Sequence, residues 1–254
     1  MKGIMIFITI CIATSMMAQT VNTEGKMSAI NGGSYIPLYS SDSQKIVVKR
    51  FVMDVYPVTN ADYLIFLSKF PEWRKSKVKS IFADSGYLSH WTTDSSFDGN
   101  ILNSPVVNVS WFAAKKYCEC VGKRLPSVAE WELVAKANEH TADASKDKKF
   151  NQWVLNWVSK PSYAVLPKVG STFRNYYGVY DIHGLVWEWT YDFSSALTTG
   201  ESRGNSSLDN TFFCGGGSFD SKDINNYASF MRFALRSSVK ANYCVPNIGF
   251  RCVK

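Results

Sequence analysis

The residues of this 254-residue chain best suited to chemistry are its cysteines, Cys11, Cys118, Cys120, Cys214, Cys244 and Cys252. As thiolates they could hold a soft metal, exchange with disulfides or cross-link the fold, and the compartment decides which. Lys2, the apolar run from Ile4 to Ala13 and the small residue Ala18 make the three-part pattern of a secretory signal, with cleavage expected after Ala18. A lipoprotein anchor at Cys11 fits less well, because Ile10 before it is bulky. Export places the other five cysteines in oxidising surroundings, which implies at least one disulfide and an odd thiol left over. His90, His140 and His183 are far apart, with no two at helical ligand spacing, so they encode no His-rich metal site. Arg232 and Arg236 follow the Gly215-Gly216-Gly217-Ser218 loop, and two guanidinia beside such a loop suit a carboxylate or a peptide carbonyl. Glu188 lies between Trp187 and Trp189, so in an extended segment both rings face one side and the carboxylate the other. No Cys or Ser has an identifiable base beside it, which leaves a nucleophile dyad without support.

The elements that must position these groups are short. Residues 19–30 read as a loose leader and 31–254 as one domain. Asn31 to Ile36 looks like a turn entering a strand, and Lys45 to Met53 is β-rich by residue type. A Thr59/Asn60 cap precedes apolar residues at helical spacing through Leu67. A second helix runs from Ser110 to about Val121 and stops at Gly122. A third starts at Ser127, with Glu130 completing a capping box, and carries Trp131, Leu133, Val134 and Ala137. Residues 138–180 show no sustained period, and Glu139 to Lys149 reads as the most mobile loop. A hydrophobic fraction of 46% and an aromatic fraction of 15% fit a packed core. The net charge of +7 is scattered, and export argues against a nucleic-acid partner. The densest basic cluster, Arg74-Lys75-Ser76-Lys77-Val78-Lys79, reads as a solvated face rather than a docking patch for an acidic partner. Beyond the signal, no stretch approaches the roughly 18 apolar residues of a membrane span.

Several motifs recur in a recognisable order: Val58 to Tyr63; Pro105 to Trp111; Gly122-Lys123-Arg124-Leu125-Pro126-Ser127 with Glu130-Trp131-Glu132; Gly178 to Trp189; Gly215 to Ser218; Arg232 and Arg236; and Asn247 to Cys252. Together they resemble the sulfatase-modifying-factor, or formylglycine-generating-enzyme, superfamily over nearly the whole mature chain. The resemblance implies a coil-rich α+β domain of the C-type-lectin-like kind. The tail, from Ser195 to Gly204 and from Phe213 to Ser238, is similar to the nitrite-reductase-associated NirV-type branch. Arg124, ahead of a proline turn and a capped helix, reads as a structural ion-pair former.

The resemblance also implies site chemistry. Formylglycine generators oxidise a substrate cysteine with copper(I) held by two thiolates, one three residues after the Ser of Gly-Gly-Ser and the other five beyond. Here those positions are Ser221 and about Asn226, and no cysteine occurs from Gly215 to Tyr243. Hard hydroxyl and amide donors hold copper(I) poorly, so formylglycine-generating activity is not expected. Ser218, Ser221, Asn226, Arg232 and Arg236 remain as the walls of a ligand pocket. A calcium ion is implied at Glu188, with backbone carbonyls near Gly184 and Val186. Leu185 stands where the family pattern has Asn, which removes one side-chain oxygen; without the ion Glu188 needs a buried Arg or backbone amides. Cys118 and Cys252 match positions that pair in the family, a link that would stabilise the fold by closing a long loop. For Cys120, Cys214 and Cys244 the expectation is one further disulfide and a buried thiol, against a soft-metal or thiol-exchange site. His183 is expected to pack rather than ligate. Three functions stay open: a periplasmic or secreted accessory factor binding a protein or peptide client, with a copper nitrite reductase or companion electron-transfer protein as client if the NirV resemblance holds; an oxidase with a changed, cysteine-independent centre; and a non-catalytic lectin-like binding module.

Overall fold

The capped helices form where their caps stand. In the computed structural model, which describes residues 26–36, 45–160, 163–194 and 224–254 (224–227 as backbone), α1 spans Asn60–Lys69. Thr59 accepts from the Asp62 amide while the Asp62 carboxylate accepts from the Thr59 amide, so two N–H groups orphaned at the helix start are satisfied. Ser110 caps α2, Trp111–Cys120, and Ser127 with Glu130 forms the same reciprocal box on α3, Val128–Ala135. Ala137, expected inside the third helix, lies just past its end.

Two expectations are corrected. Residues 27–30, assigned to a loose leader, form strand β1, Met27–Ile30. It pairs antiparallel with β4, Phe51–Asp54, from Met27 opposite Asp54 to Ile30 opposite Phe51. The stretch expected to lack a period contains α4, Lys148–Val158. Asp147 caps it by accepting from the Lys149 and Phe150 amides, and Phe150, Trp153, Val154, Trp157 and Val158 recur at helical spacing. The preceding loop is held by Asn138, whose side chain accepts from the His140 and Thr141 amides and donates to Asp147.

The remaining strands are short. β2, Gly33–Tyr35, pairs antiparallel with β3, Ile46–Val48, and β5, Trp187–Glu188, runs parallel to β6, Ile248–Gly249. The C-terminal residues extend the first sheet: the Asp54 amide donates to the Cys252 carbonyl at 2.9 Å and the Val52 amide to the Lys254 carbonyl at 3.0 Å. A disulfide joins Cys118 on α2 to Cys252, with Cα atoms 5.7 Å apart. It is the pair expected from the resemblance. Helix α5 spans Ile224–Ser238.

Core packing divides around this frame. One cluster gathers Tyr63, Phe66, Trp91, Tyr117, Trp189 and Phe250; a second gathers Ile30, Phe51, Met53, Trp131, Leu133 and Ile182; a small third holds Val107, Leu185 and Val186. Trp189 and Trp187 both join the first cluster, so β5 turns its rings one way and Glu188 the other.

Candidate ligand pocket and its ion-pair frame

Helix α3 is buried on nearly all sides, and Glu132 sits between Trp131 and Leu133 with 6% of its surface exposed. A carboxylate in that position needs cations or protonation. Both cations come from α5. Arg232 Nε lies 3.0 and 3.2 Å from the two Glu132 oxygens and Nη2 lies 2.9 Å from Oε2, while Arg236 Nη1 lies 2.7 Å from Oε1. Arg232 Nη2 also donates to Ser229 Oγ at 3.0 Å. The guanidinium carbons stand 6.0 and 5.0 Å from the Trp131 ring centroid, within cation–π range. Burial pushes the Glu132 carboxyl up, but the charges and hydrogen bonds of the two arginines outweigh it and hold the group at about 2. Two guanidinia share one carboxylate, which leaves the trio with a net positive charge. Tyr35 on β2 lies in the field of all three; burial, then Glu132, pushes its hydroxyl well above the ordinary value.

Trp131 links this trio to a second ion pair. Its ring face receives the arginines and its Nε1 donates to Glu188 Oε2 at 2.8 Å. Arg251 Nε lies 3.0 and 2.9 Å from the two Glu188 oxygens, and Nη2 lies 2.8 Å from Oε1. The remaining guanidinium N–H groups donate to the carbonyls of Asp54, Val55 and Tyr180 at 3.1, 3.3 and 2.9 Å. The residues present do not fit a calcium ion at Glu188. Its oxygens accept from a guanidinium and an indole, its charge is balanced by Arg251, and Leu185 offers no oxygen. The partner foreseen in the absence of an ion, a buried Arg, is what the fold supplies.

His183 packs between the two networks and α4. A carbonyl can only accept, so the 2.9 Å contact to the Ala135 carbonyl puts the ring hydrogen on Nε2. The ring lies edge-to-face on Trp131 at 5.6 Å and on Phe150 at 6.0 Å. Burial first, then Arg232, holds its pKa down at about 3, so the ring is neutral. The turn that delivers it needs Gly184: φ is +97°, and a Cβ there would meet Thr172 and Trp153 at 2.8 Å.

Other sequence-derived candidates fall as follows. Ser218, Ser221 and Cys214 lie outside the described residues, as does the expected signal, and Asn226 falls in the part of α5 described as backbone. Copper(I) finds no thiolate pair from Gly215 to Tyr243, and among the described residues no three His, Cys, Asp or Glu side chains converge as a metal site. Of the pairings open to the further disulfide, Cys120 with Cys244 is not formed, and both are free thiols among the described residues; a pairing with Cys214 falls outside them. Cys120 sits two residues from Cys118 on α2 and so points to a different side of the helix. Cys244 is buried near Asp84, and its burial, then that carboxylate, pushes the thiol up. Arg124 makes the expected structural pair, with Nη1 and Nη2 2.7 and 2.6 Å from the Glu130 oxygens. The residue missed in the sequence is Glu132. A carboxylate inside an otherwise apolar helix segment was the available signal that a cation must meet it.

Comparison with known proteins identifies the family. Residues 13–254 match the family described as "Sulfatase-modifying factor enzyme 1-like domain". The formylglycine-generating enzyme of Mus musculus is 29% identical over 253 residues, covering 83% of this chain and 67% of that protein. The inactive C-alpha-formylglycine-generating enzyme 2 of Bos taurus is 30% identical over 184 residues, covering 58% of this chain and 61% of that protein. Among solved structures, PvdO from Pseudomonas aeruginosa aligns with a TM-score of 0.49 at 20% identity, covering 89% of this chain and 93% of that one. This chain thus spans about two thirds of the mouse protein and less of the bovine one. No helix among the described residues is long and apolar enough to cross a membrane. The chain belongs to the sulfatase-modifying factor enzyme 1-like family, and its coil-rich mixture of helices and short strands is the fold of that family.

Proposed function

We propose that this chain is an exported accessory or maturation factor that holds a protein or peptide client in the family pocket and does not perform thiolate–copper oxidation. The observation that carries this reading is the absence of cysteine from Gly215 to Tyr243 in a chain whose pocket frame is kept. Glu132 clamps Arg232 and Arg236, and Arg251 clamps Glu188, and these ion pairs support a pocket frame held without a metal centre. The net positive charge of the Glu132–Arg232–Arg236 trio suits a client carboxylate or carbonyl, which must compete with Glu132 for the guanidinium donors. A relative named as inactive, at 30% identity, fits the same reading. The similarity of the tail to the NirV-type branch makes a copper nitrite reductase the client to test first.

Two experiments test it. Incubation with a cysteine-containing sulfatase peptide and copper is expected to give no aldehyde; formylglycine formation would overturn the proposal. Nitrite reductase purified from a deletion strain is expected to carry less copper, and unchanged loading would remove that client.

A further inference from the structure

The basic cluster Arg74-Lys75-Ser76-Lys77-Val78-Lys79 acquires apolar company in the structure. Ile81 and Phe82 follow it directly and are 69% and 38% exposed. The Phe82 ring lies 5.8 Å from Trp73 and 5.5 Å from Phe112. Phe112 in turn contacts Trp111 at 5.4 Å, and Trp111 reaches Tyr191 at 6.2 Å. A row of five aromatic rings therefore runs from the basic segment to Tyr191, which is 53% exposed. Residues 71–82 carry four cations against one carboxylate, Glu72.

These cations are not used up by the fold. Arg74 Nε donates to the Leu67 carbonyl and Lys75 Nζ to the Trp91 carbonyl, contacts that orient the side chains without neutralising them. Asp94 is held by the Ser76 amide at 2.7 Å and lies in the field of Arg74 and Lys77. Lys77 and Lys79 are exposed and make no ion pair among the described residues.

We propose that this face docks on an anionic lipid surface. Ile81 and Phe82 enter the interfacial layer, Trp73 and Tyr191 sit at the level of the headgroups, and the four cations meet lipid phosphates. Interleaved apolar and cationic side chains on an exposed, turn-rich segment suit a bilayer boundary, which accepts both kinds at once and demands no matching shape. An acidic protein surface would engage the lysines but leave Ile81 and Phe82 unanswered.

Co-sedimentation of the full chain with vesicles tests this, comparing phosphatidylcholine alone with phosphatidylcholine containing phosphatidylglycerol. Binding is expected only to the anionic vesicles and should weaken as salt is raised. Lys77→Gln with Lys79→Gln should lower partitioning by about 30-fold. Ile81→Ser with Phe82→Ser should lower it by about tenfold or more. All four positions are surface-exposed, and circular dichroism would verify that the variants fold. Equal binding to neutral and anionic vesicles, unaffected by Lys77→Gln/Lys79→Gln, would overturn the proposal; insertion through the apolar run from Ile4 to Ala13 would give that result. Salt-sensitive binding to poly-glutamate without vesicle binding would overturn it too, and would assign the face to an acidic protein.

Discussion

Arg251 and Glu188 form an ion pair whose side chains are both wholly shielded from water, 63 residues apart in sequence and joined through Nε and Nη2. Removing one partner leaves an uncompensated buried charge, so Arg251→Met or Glu188→Gln should cost about 3–5 kcal/mol in urea unfolding. Replacing both, as Glu188→Leu with Arg251→Met, should recover much of that loss, since the desolvation of two ions is then avoided. If the ion pair fills this site, millimolar calcium added to chelator-treated protein will not raise Tm. A calcium-dependent rise abolished by Glu188→Gln would contradict the assignment.

Glu132 makes stability depend on acid. Its carboxyl is held at about 2 in the fold, below an ordinary value of 4.5. A depressed carboxyl contributes stability that is fully present above the unfolded value and lost as pH falls through the folded one. The window is therefore from about 4.5 down to about 2, with a loss of about 3 kcal/mol across it. Glu132→Gln should lower stability at neutral pH and flatten this part of the profile; a profile unchanged in shape would rule out Glu132 as its source.

His183 acts in a higher window. The fold favours its neutral ring, holding the pKa at about 3 against an ordinary 6.5, so its contribution is present above 6.5 and declines as pH falls toward 3. Loss of stability should therefore begin between pH 6.5 and 4.5, before Glu132 titrates. His183→Asn should shrink that early limb, as read by thermal unfolding across pH, leaving the share of His90, which burial and then Lys75 hold down at about 4.

The cysteines should separate by reactivity. With Cys11 and Cys214 replaced, the native protein should label at one thiol, Cys120, which is half-buried, and at Cys244 only after denaturation. Cys118 and Cys252 should require reduction. Their separation of 134 residues makes Cys252→Ala cost about 5 kcal/mol on the chain-entropy model, measurable by urea unfolding under non-reducing conditions. Rapid native labelling of Cys244 would contradict its burial.

What could be read from the sequence was local or categorical. Thr59, Ser110 and Ser127 name their helices because a cap acts within three residues, and the lack of cysteine from 215 to 243 is read directly from the residues. Helix α4 was legible too, in Asp147 and the spacing of Phe150, Trp153, Val154, Trp157 and Val158, but its density of large rings obscured the period. β1 was not legible, because a four-residue strand is defined by the edge of β4 that it covers. Nor were the partners of the buried charges. Arg232 and Arg236 read as open cations until the tertiary structure places Glu132, 100 and 104 residues away, between them, and Glu188 reads as a metal ligand until Arg251 meets it. Charge type is fixed by the residue, whereas the low dielectric and the opposing group that decide its role exist only once distant segments pack.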